Sequence, residues 1–310
     1  MGAFIICTSQ RTGGTLLCSM LSDTNLVGKP AAYLRVYRLS RFLNTLTKED
    51  FLIFLKNVSS RFHKQKEKLC PLTFDISWLF QENILDNIEN IEKRYEFFYH
   101  QLRSENLMTY FKKIRNSELG GENWGLKVVM HNKSRKGDFA SLLKQLKKES
   151  GNVSSSEIEL LKLICPNVKF IWLTRRNKIK QAISLLKARK TSQWHIYNEQ
   201  GSLELKKLKT IPSHKDLSES LIEVAANDSI WDDFFSKNNI IPLSLIYEDL
   251  IEKPEKSIKE IIGFLGIKEP NKKIFNGFKE QKMANQESEY IFKNFLKLIN
   301  MGLDVSKSEI

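Results

Sequence analysis

The sequence predicts an α/β fold: a parallel sheet flanked by helices, with a helical cap insertion. Three observations predict it. Short apolar runs at residues 3–8, 123–130, 168–174 and 240–246 have the length of strands buried on both faces. Segments with helical spacing separate these runs, which favours parallel pairing over hairpins. The first run leads directly into a turn rich in glycine and hydroxyls and then into a helix, so the first 22 residues read strand–loop–helix.

Taken in order, residues 3–8 (AFIICT) form the first expected strand. The turn Ser9-Gln10-Arg11-Thr12-Gly13-Gly14-Thr15 follows, and Leu16, Leu17, Met20 and Leu21 then recur at helical spacing. Residues 35 to about 120 read as mostly helical, with apolar stretches at 51–55 and 78–91 set among charges; this is the expected cap. Residues 123–130 (NWGLKVVM) read as a second strand and 168–174 (VKFIWLT) as a third. Arg175-Arg176-Asn177 come next, then a helix carrying Ile179, Ala182, Ile183 and Leu186. The fourth strand, 240–246 (IIPLSLI), has Pro242 near its start, where proline is tolerated. Pro254 begins a helix over 255–265 that Gly266 ends, and 285–298 reads as helix again. The expected organisation is a single domain over residues 1–310 with a helical insertion at about 35–120.

Composition narrows the function. No apolar run approaches the roughly 18–20 residues of a membrane span. The apolar start at 3–7 is too short for a signal core, and Ile6 stands where a myristoylation motif needs Ser or Thr, so the expected location is cytoplasmic. Cys7, Cys18, Cys70 and Cys165 are widely spaced, with no C-x-x-C pair and no histidines at ligand spacing; this predicts reduced thiols and no metal. The net charge of +13 is mostly lysine scattered among Ile and Asn, without aromatic-interleaved runs, zinc fingers or RNP signatures. No nucleic-acid partner is therefore expected. The sequence leaves monomer and homo-oligomer both open.

The first loop carries the most chemistry. Backbone N–H groups of a Gly-rich turn and of a helix N-terminus point the same way and form an anion site. Gly13 and Gly14 let the backbone approach the anion, Thr12 and Thr15 offer hydroxyls, and Arg11 offers a fork of donors suited to a tetrahedral oxyanion. The Lys-Ser/Thr ending of a Walker A loop is absent. A second pair, Arg175 at the end of the third strand and Ser184 in the next helix, suits another phosphate. Two such sites fit a ligand phosphorylated at both ends, such as the 3′-phosphoadenosine of activated sulfate (PAPS).

Several motifs together resemble the Stf0-type sulfotransferases. They are Ser9 through Leu17, Gly28-Lys29-Pro30, Trp124-Gly125-Leu126-Lys127, Arg175 through Ser184, and Thr191 with Trp194. The resemblance implies a P-loop-like sheet and PAPS-dependent transfer to the hydroxyl of a small molecule or glycan, without a metal. By position, Arg11, Thr12, Gly13, Gly14 and Thr15 would cradle the 5′-phosphosulfate, with Arg11 also stabilising the leaving group. Arg175 and Ser184 would hold the 3′-phosphate, and Lys127 would assist the leaving group. Gln10, Lys29, Tyr33 and Arg35 would face the acceptor, while Gln281, Lys282 and Asn285 fall where the family has a further cofactor loop.

One departure stands out. Ala32 occupies the position of the family's glutamate base in Gly28-Lys29-Pro30-Ala31-Ala32-Tyr33. Either another residue is the base, or the acceptor needs little help, or the chain is a non-catalytic relative that binds PAPS or its desulfated product. His131, after the second strand, is the candidate base because imidazole titrates near neutrality; His195 is the second choice.

Overall fold

The computed structural model describes residues 2–34, 106–117, 120–131, 138–152, 154–191, 210–268 and 286–307, with 47, 49 and 208 as single positions. Most of the expected helical cap at 35–120 lies outside these residues. Its described end is helical, as α2 below.

Strands β1 (Gly2–Ser9), β2 (Asn123–Met130), β3 (Val168–Thr174) and β4 (Leu243–Ile246) form a parallel sheet of order β2-β1-β3-β4. β3 and β4 pair in parallel, with Leu173 opposite Leu245 and Thr174 opposite Ile246. The boundaries of β2 and β3 are those expected from the sequence. β4 is shorter and begins just after Pro242, which has no N–H to give a ladder. From β1 the chain goes to β2 on one side and then crosses to β3 on the other, so the strand order reverses at β1. Ligands of open α/β sheets bind outside the carboxyl ends of strands at such a reversal. Here those ends are Ser9 and Thr174.

Helices join the strands: α1 (Gly14–Asp23), α2 (Leu107–Asn116), α3 (Asp138–Ser150), α4 (Glu157–Ile164), α5 (Lys178–Thr191), α6 (His214–Lys237), α7 (Tyr247–Glu252), α8 (Pro254–Leu265) and α9 (Gln286–Lys307). The expected helix after Pro254 ends as read, with Gly266 left-handed at φ 77°. The sequence reading had not singled out α3, α4 or α6.

Contacts divide the chain into two units. The first comprises residues 1–5, 24–128 and 138–169. In it Phe111 packs against Trp124 with ring centroids 5.7 Å apart. Glu149 caps the start of α2 by accepting from the N–H groups of Leu107 (2.8 and 2.9 Å) and Met108 (3.1 Å). Ala31 bridges Leu126 in parallel, and the Lys127 N–H donates to the Ala31 carbonyl at 2.9 Å.

The second unit comprises residues 6–23, 129–137 and 170–310. Its helices interlock through Ile183 and Leu186 of α5, Leu217 of α6, and Ile291 and Phe295 of α9. Ala182 and Leu185 pack with Val224 of α6. Under β3 lies an aromatic layer: Phe170 meets Phe234 and Phe235, and Trp231 stacks on Phe235 at 5.8 Å. Trp231 is fully buried and donates from Nε1 to the Thr8 carbonyl at 2.9 Å. A ring buried in this way contributes about 3–5 kcal/mol relative to alanine. This packing pins the middle of α6 to the carboxyl end of β1.

Candidate active site

The turn after β1 is shaped by backbone conformation. Arg11 has φ 64° and Gly13 φ 87°, so left-handed residues flank Thr12. Alternation of this kind turns successive N–H groups inward to form an anion-binding concavity. The Gly13 carbonyl accepts from the Leu17 N–H at 3.0 Å as α1 begins, so the loop passes directly into a helix N-terminus. Thr12 is buried and its hydroxyl donates to the Ser9 carbonyl at 2.9 Å. That proton therefore closes the loop, and what Thr12 can offer an anion is its backbone N–H.

A left-handed arginine costs about 1–2 kcal/mol, and side chains from α5 offset it. Gln181, fully buried, donates from Nε2 to the Gln10 carbonyl at 2.8 Å. The Nε of Arg11 donates to Ser184 Oγ at 3.0 Å. Arg189 donates to Gln10 Oε1 at 3.2 Å while its two terminal nitrogens clasp the Glu223 carboxylate at 2.7 and 2.5 Å. The structure thus brings together Gln10, Arg11 and Ser184, which the sequence had assigned to different parts of the site.

At the end of β3, Arg175 donates from Nε to Glu248 Oε1 at 3.3 Å and lies over the Tyr247 ring, 4.8 Å from its centroid. Among the described residues, its terminal nitrogens have no bond. Glu248 also accepts from the N–H groups of Arg176 (2.8 Å) and Asn177 (3.4 Å). Burial pushes its carboxyl up, but the N–H groups of Arg176, Glu248 and Asn177 and the Arg175 charge outweigh this and hold it below the ordinary carboxylate value. Tyr247 also backs the loop: a Cβ on Gly13 would stand 2.5 Å from Tyr247 Cδ2 and 2.8 Å from Cε2.

Between the two segments lies Asp228 of α6. Ser9 Oγ donates to its Oδ1 at 2.6 Å and Thr174 Oγ1 to its Oδ2 at 2.9 Å. Lys178 donates to Thr174 Oγ1 at 2.6 Å and forms an ion pair with Asp228.

The remaining expected residues fall as follows. Gly14 and Thr15 open α1, and His131 follows β2 directly, half-buried, within the second unit. Lys29 and Tyr33 belong to the first unit. Lys29 is exposed; Tyr33 is buried, with its hydroxyl bonded to the Lys29 carbonyl and its own carbonyl accepting from Tyr110 Oη at 3.1 Å. Ala32 is buried and Lys127 half-buried. Thr191 ends α5, with its hydroxyl on the Lys187 carbonyl at 2.8 Å. Arg35, Trp194, His195, Gln281, Lys282 and Asn285 lie outside the described residues. Sequence reasoning missed Asp228, Arg189, Glu223, Tyr247 and Glu248. Tyr247 and Glu248 could have been found, because they directly follow the fourth strand at its carboxyl end.

Among the described residues, no group of three or more His, Cys, Asp or Glu could hold a metal, and no helix is long and apolar enough to cross a membrane. An inward-turned loop at a helix N-terminus, with one arginine in it and a second at the neighbouring strand end, is an arrangement suited to an anion. The Stf0 sulphotransferase family model matches residues 3–69 and 90–295, and the chain belongs to that family. It is a sulfotransferase. Similar solved structures include the sulfotransferase domain from the curacin biosynthetic pathway, at 16% identity and TM-score 0.48, covering 93% of this chain and 81% of that one. Sulfotransferase STF9 from Mycobacterium avium is similar at 14% identity and TM-score 0.42, covering 95% of this chain and 67% of the other. The sulfotransferase domain of the Synechococcus PCC 7002 olefin synthase gives 14% and 0.42, covering 95% and 94%. No curated protein matches the chain.

Proposed function

We propose that this enzyme moves a sulfuryl group from PAPS to an acceptor hydroxyl on a carbohydrate or small metabolite. The observation that carries the reading is the orientation of Arg175. Its Nε is tied to Glu248 and its face rests on Tyr247, which leaves its terminal nitrogens, unbonded among the described residues, to meet a ligand. The Arg11–Gly13 turn is a separate anion cradle in which a Cβ at Gly13 would meet the Tyr247 ring. Two such points suit a nucleotide with phosphates at its 3′ and 5′ ends, and the donors present fit PAPS. No carboxylate cluster invites a metal among the described residues.

PAPS supplies the activated sulfuryl group. In the transfer, the bond from sulfur to the 5′-phosphate oxygen breaks, the bond from sulfur to the acceptor oxygen forms, and the acceptor proton leaves to a base. Sulfuryl transfer resembles phosphoryl transfer, so the protein's contribution is positioning and charge stabilisation. The loop amides and Arg11 hold the 5′-phosphate, with Lys127 assisting. Arg175 and Ser184 hold the 3′-phosphate. His131 takes the acceptor proton, since Ala32 cannot; the family resemblance adds Gln10, Lys29, Tyr33 and Arg35 as acceptor-side residues. The family model matches residues 3–69 and 90–295, which supports reading the chain as one sulfotransferase domain. Cys7, Cys18 and Cys165 are buried, which suits reduced thiols and a cytoplasmic setting.

Calorimetric titration with 3′,5′-diphosphoadenosine and with 5′-AMP tests the reading. A charge-assisted contact contributes about 1.5–3 kcal/mol, so the diphosphate should bind at least about tenfold tighter than AMP. Arg175→Ala should abolish that preference. Equal binding of the two nucleotides by the native protein would sink the assignment.

A further inference from the structure

Asp228 takes no part in the transfer as proposed, yet it stands between the residues that do. Its Oδ1 accepts from Ser9, two positions before Arg11, and its Oδ2 accepts from Thr174, the residue before Arg175. One carboxylate therefore joins the two chain segments that carry the two arginines. Lys178 neutralises the carboxylate and shares the Thr174 hydroxyl. The helix beneath is fixed as well: one turn on, Trp231 bonds the Thr8 carbonyl at 2.9 Å and stacks on Phe235.

Other tasks fit poorly. As a base, Asp228 would have to free an oxygen, but both already receive hydroxyl donors and an ammonium. As a metal ligand it would need companions, and the described residues offer no group of three. We propose that Asp228 is a positioning residue that sets the spacing between the two phosphate subsites. It lets a single nucleotide engage both at once. The proposal rests on the two-phosphate reading above.

The physical basis is the gain from simultaneous engagement. A ligand held at one end meets the second subsite at high effective concentration only if the spacing matches. In the transfer step itself, a displacement of about 1 Å can cost on the order of 100-fold in rate. AMP, which engages the loop alone, loses much less. Loss of Asp228 therefore lowers the preference for 3′,5′-diphosphoadenosine over AMP, whereas a general loss of stability weakens both nucleotides alike.

Asp228→Asn is the informative change. The amide oxygen can still accept from Ser9, but the amide nitrogen then faces the Lys178 ammonium, donor against donor, and the Thr174 hydroxyl loses its acceptor. Affinities for both nucleotides would be measured on wild type, Asp228→Asn and Thr174→Val, with thermal unfolding alongside. A wild type without preference for the diphosphate would overturn the two-phosphate reading, and this proposal with it. A wild-type preference that falls about tenfold or more in both variants supports the proposal. A preference kept within about twofold in the variants overturns it and leaves the two-phosphate reading intact. Thr174→Val, nearly isosteric, decides the matter if Asp228→Asn does not fold.

Discussion

Replacing Gly13 by alanine tests whether the loop and Arg175 are mechanically coupled. The substitution has two separable costs. At φ 87° an L side chain is strained, and a left-handed alanine costs about 1–2 kcal/mol. The new methyl also stands 2.5 Å from Tyr247 Cδ2, where ordinary contact begins at 3.4 Å, so the ring must withdraw by about 0.9 Å. That ring carries the Arg175 guanidinium at 4.8 Å, and a stacked cation of this kind is worth about 0.5–1 kcal/mol. Together the changes should destabilise the protein by about 1.5–3 kcal/mol. They should also weaken 3′,5′-diphosphoadenosine more than AMP, because the disturbance reaches Arg175. Urea unfolding gives the first quantity and calorimetry the second. Adding Tyr247→Leu removes the clash but neither relieves the φ strain nor restores the stacking, so the double variant should recover little of the stability and none of the preference. A Gly13→Ala protein with the wild-type unfolding midpoint and wild-type nucleotide preference would refute the coupling.

Two further outcomes follow from local geometry. Glu248 has a folded-state pKa held below its ordinary value of 4.5, so its stabilisation is fully present above that value and is lost as pH falls through the lowered one. Glu248→Gln should therefore be less stable than wild type at neutral pH, and the gap should close in acid; a gap independent of pH in urea midpoints would contradict this. At the end of α8, Gly266 is left-handed and its N–H donates to the Gly263 carbonyl at 3.0 Å, so Gly266→Ala should cost about 1 kcal/mol with nucleotide binding unchanged. Unaltered stability, or lost binding, would show that the cap acts otherwise.

The turn between β1 and α1 was legible because its signal is local. Gly13 and Arg11 lie in one turn between a buried strand and a helix, and strand–loop–helix order suffices to place them at a carboxyl end. β2 and β3 were legible for the same reason, since continuous apolar runs of strand length have few other uses. Asp228 was not legible, because its meaning lies in a partner 219 residues away. A trace of it was still present. On α6 the buried face includes Ser220, Glu223 and Asn227 along with Val224 and Trp231. A helix packed only against a core would carry apolar residues at those positions. Without the fold, polar residues at helical spacing read as a solvated face, and only burial reverses that reading. Glu223 shows the difference: its side chain is 2% exposed and its carboxylate is clasped by Arg189, which in turn reaches Gln10. In the proposed reading the loop supplies the groups that meet the anion, and α5, α6 and α7 supply the buried and half-buried carboxylates and amide that hold those groups in place. A motif records the first set, because close approach of backbone to ligand restricts which residues can stand there. The second set is recorded by packing, because any helix that brings a carboxylate under Ser9 and Thr174 would serve.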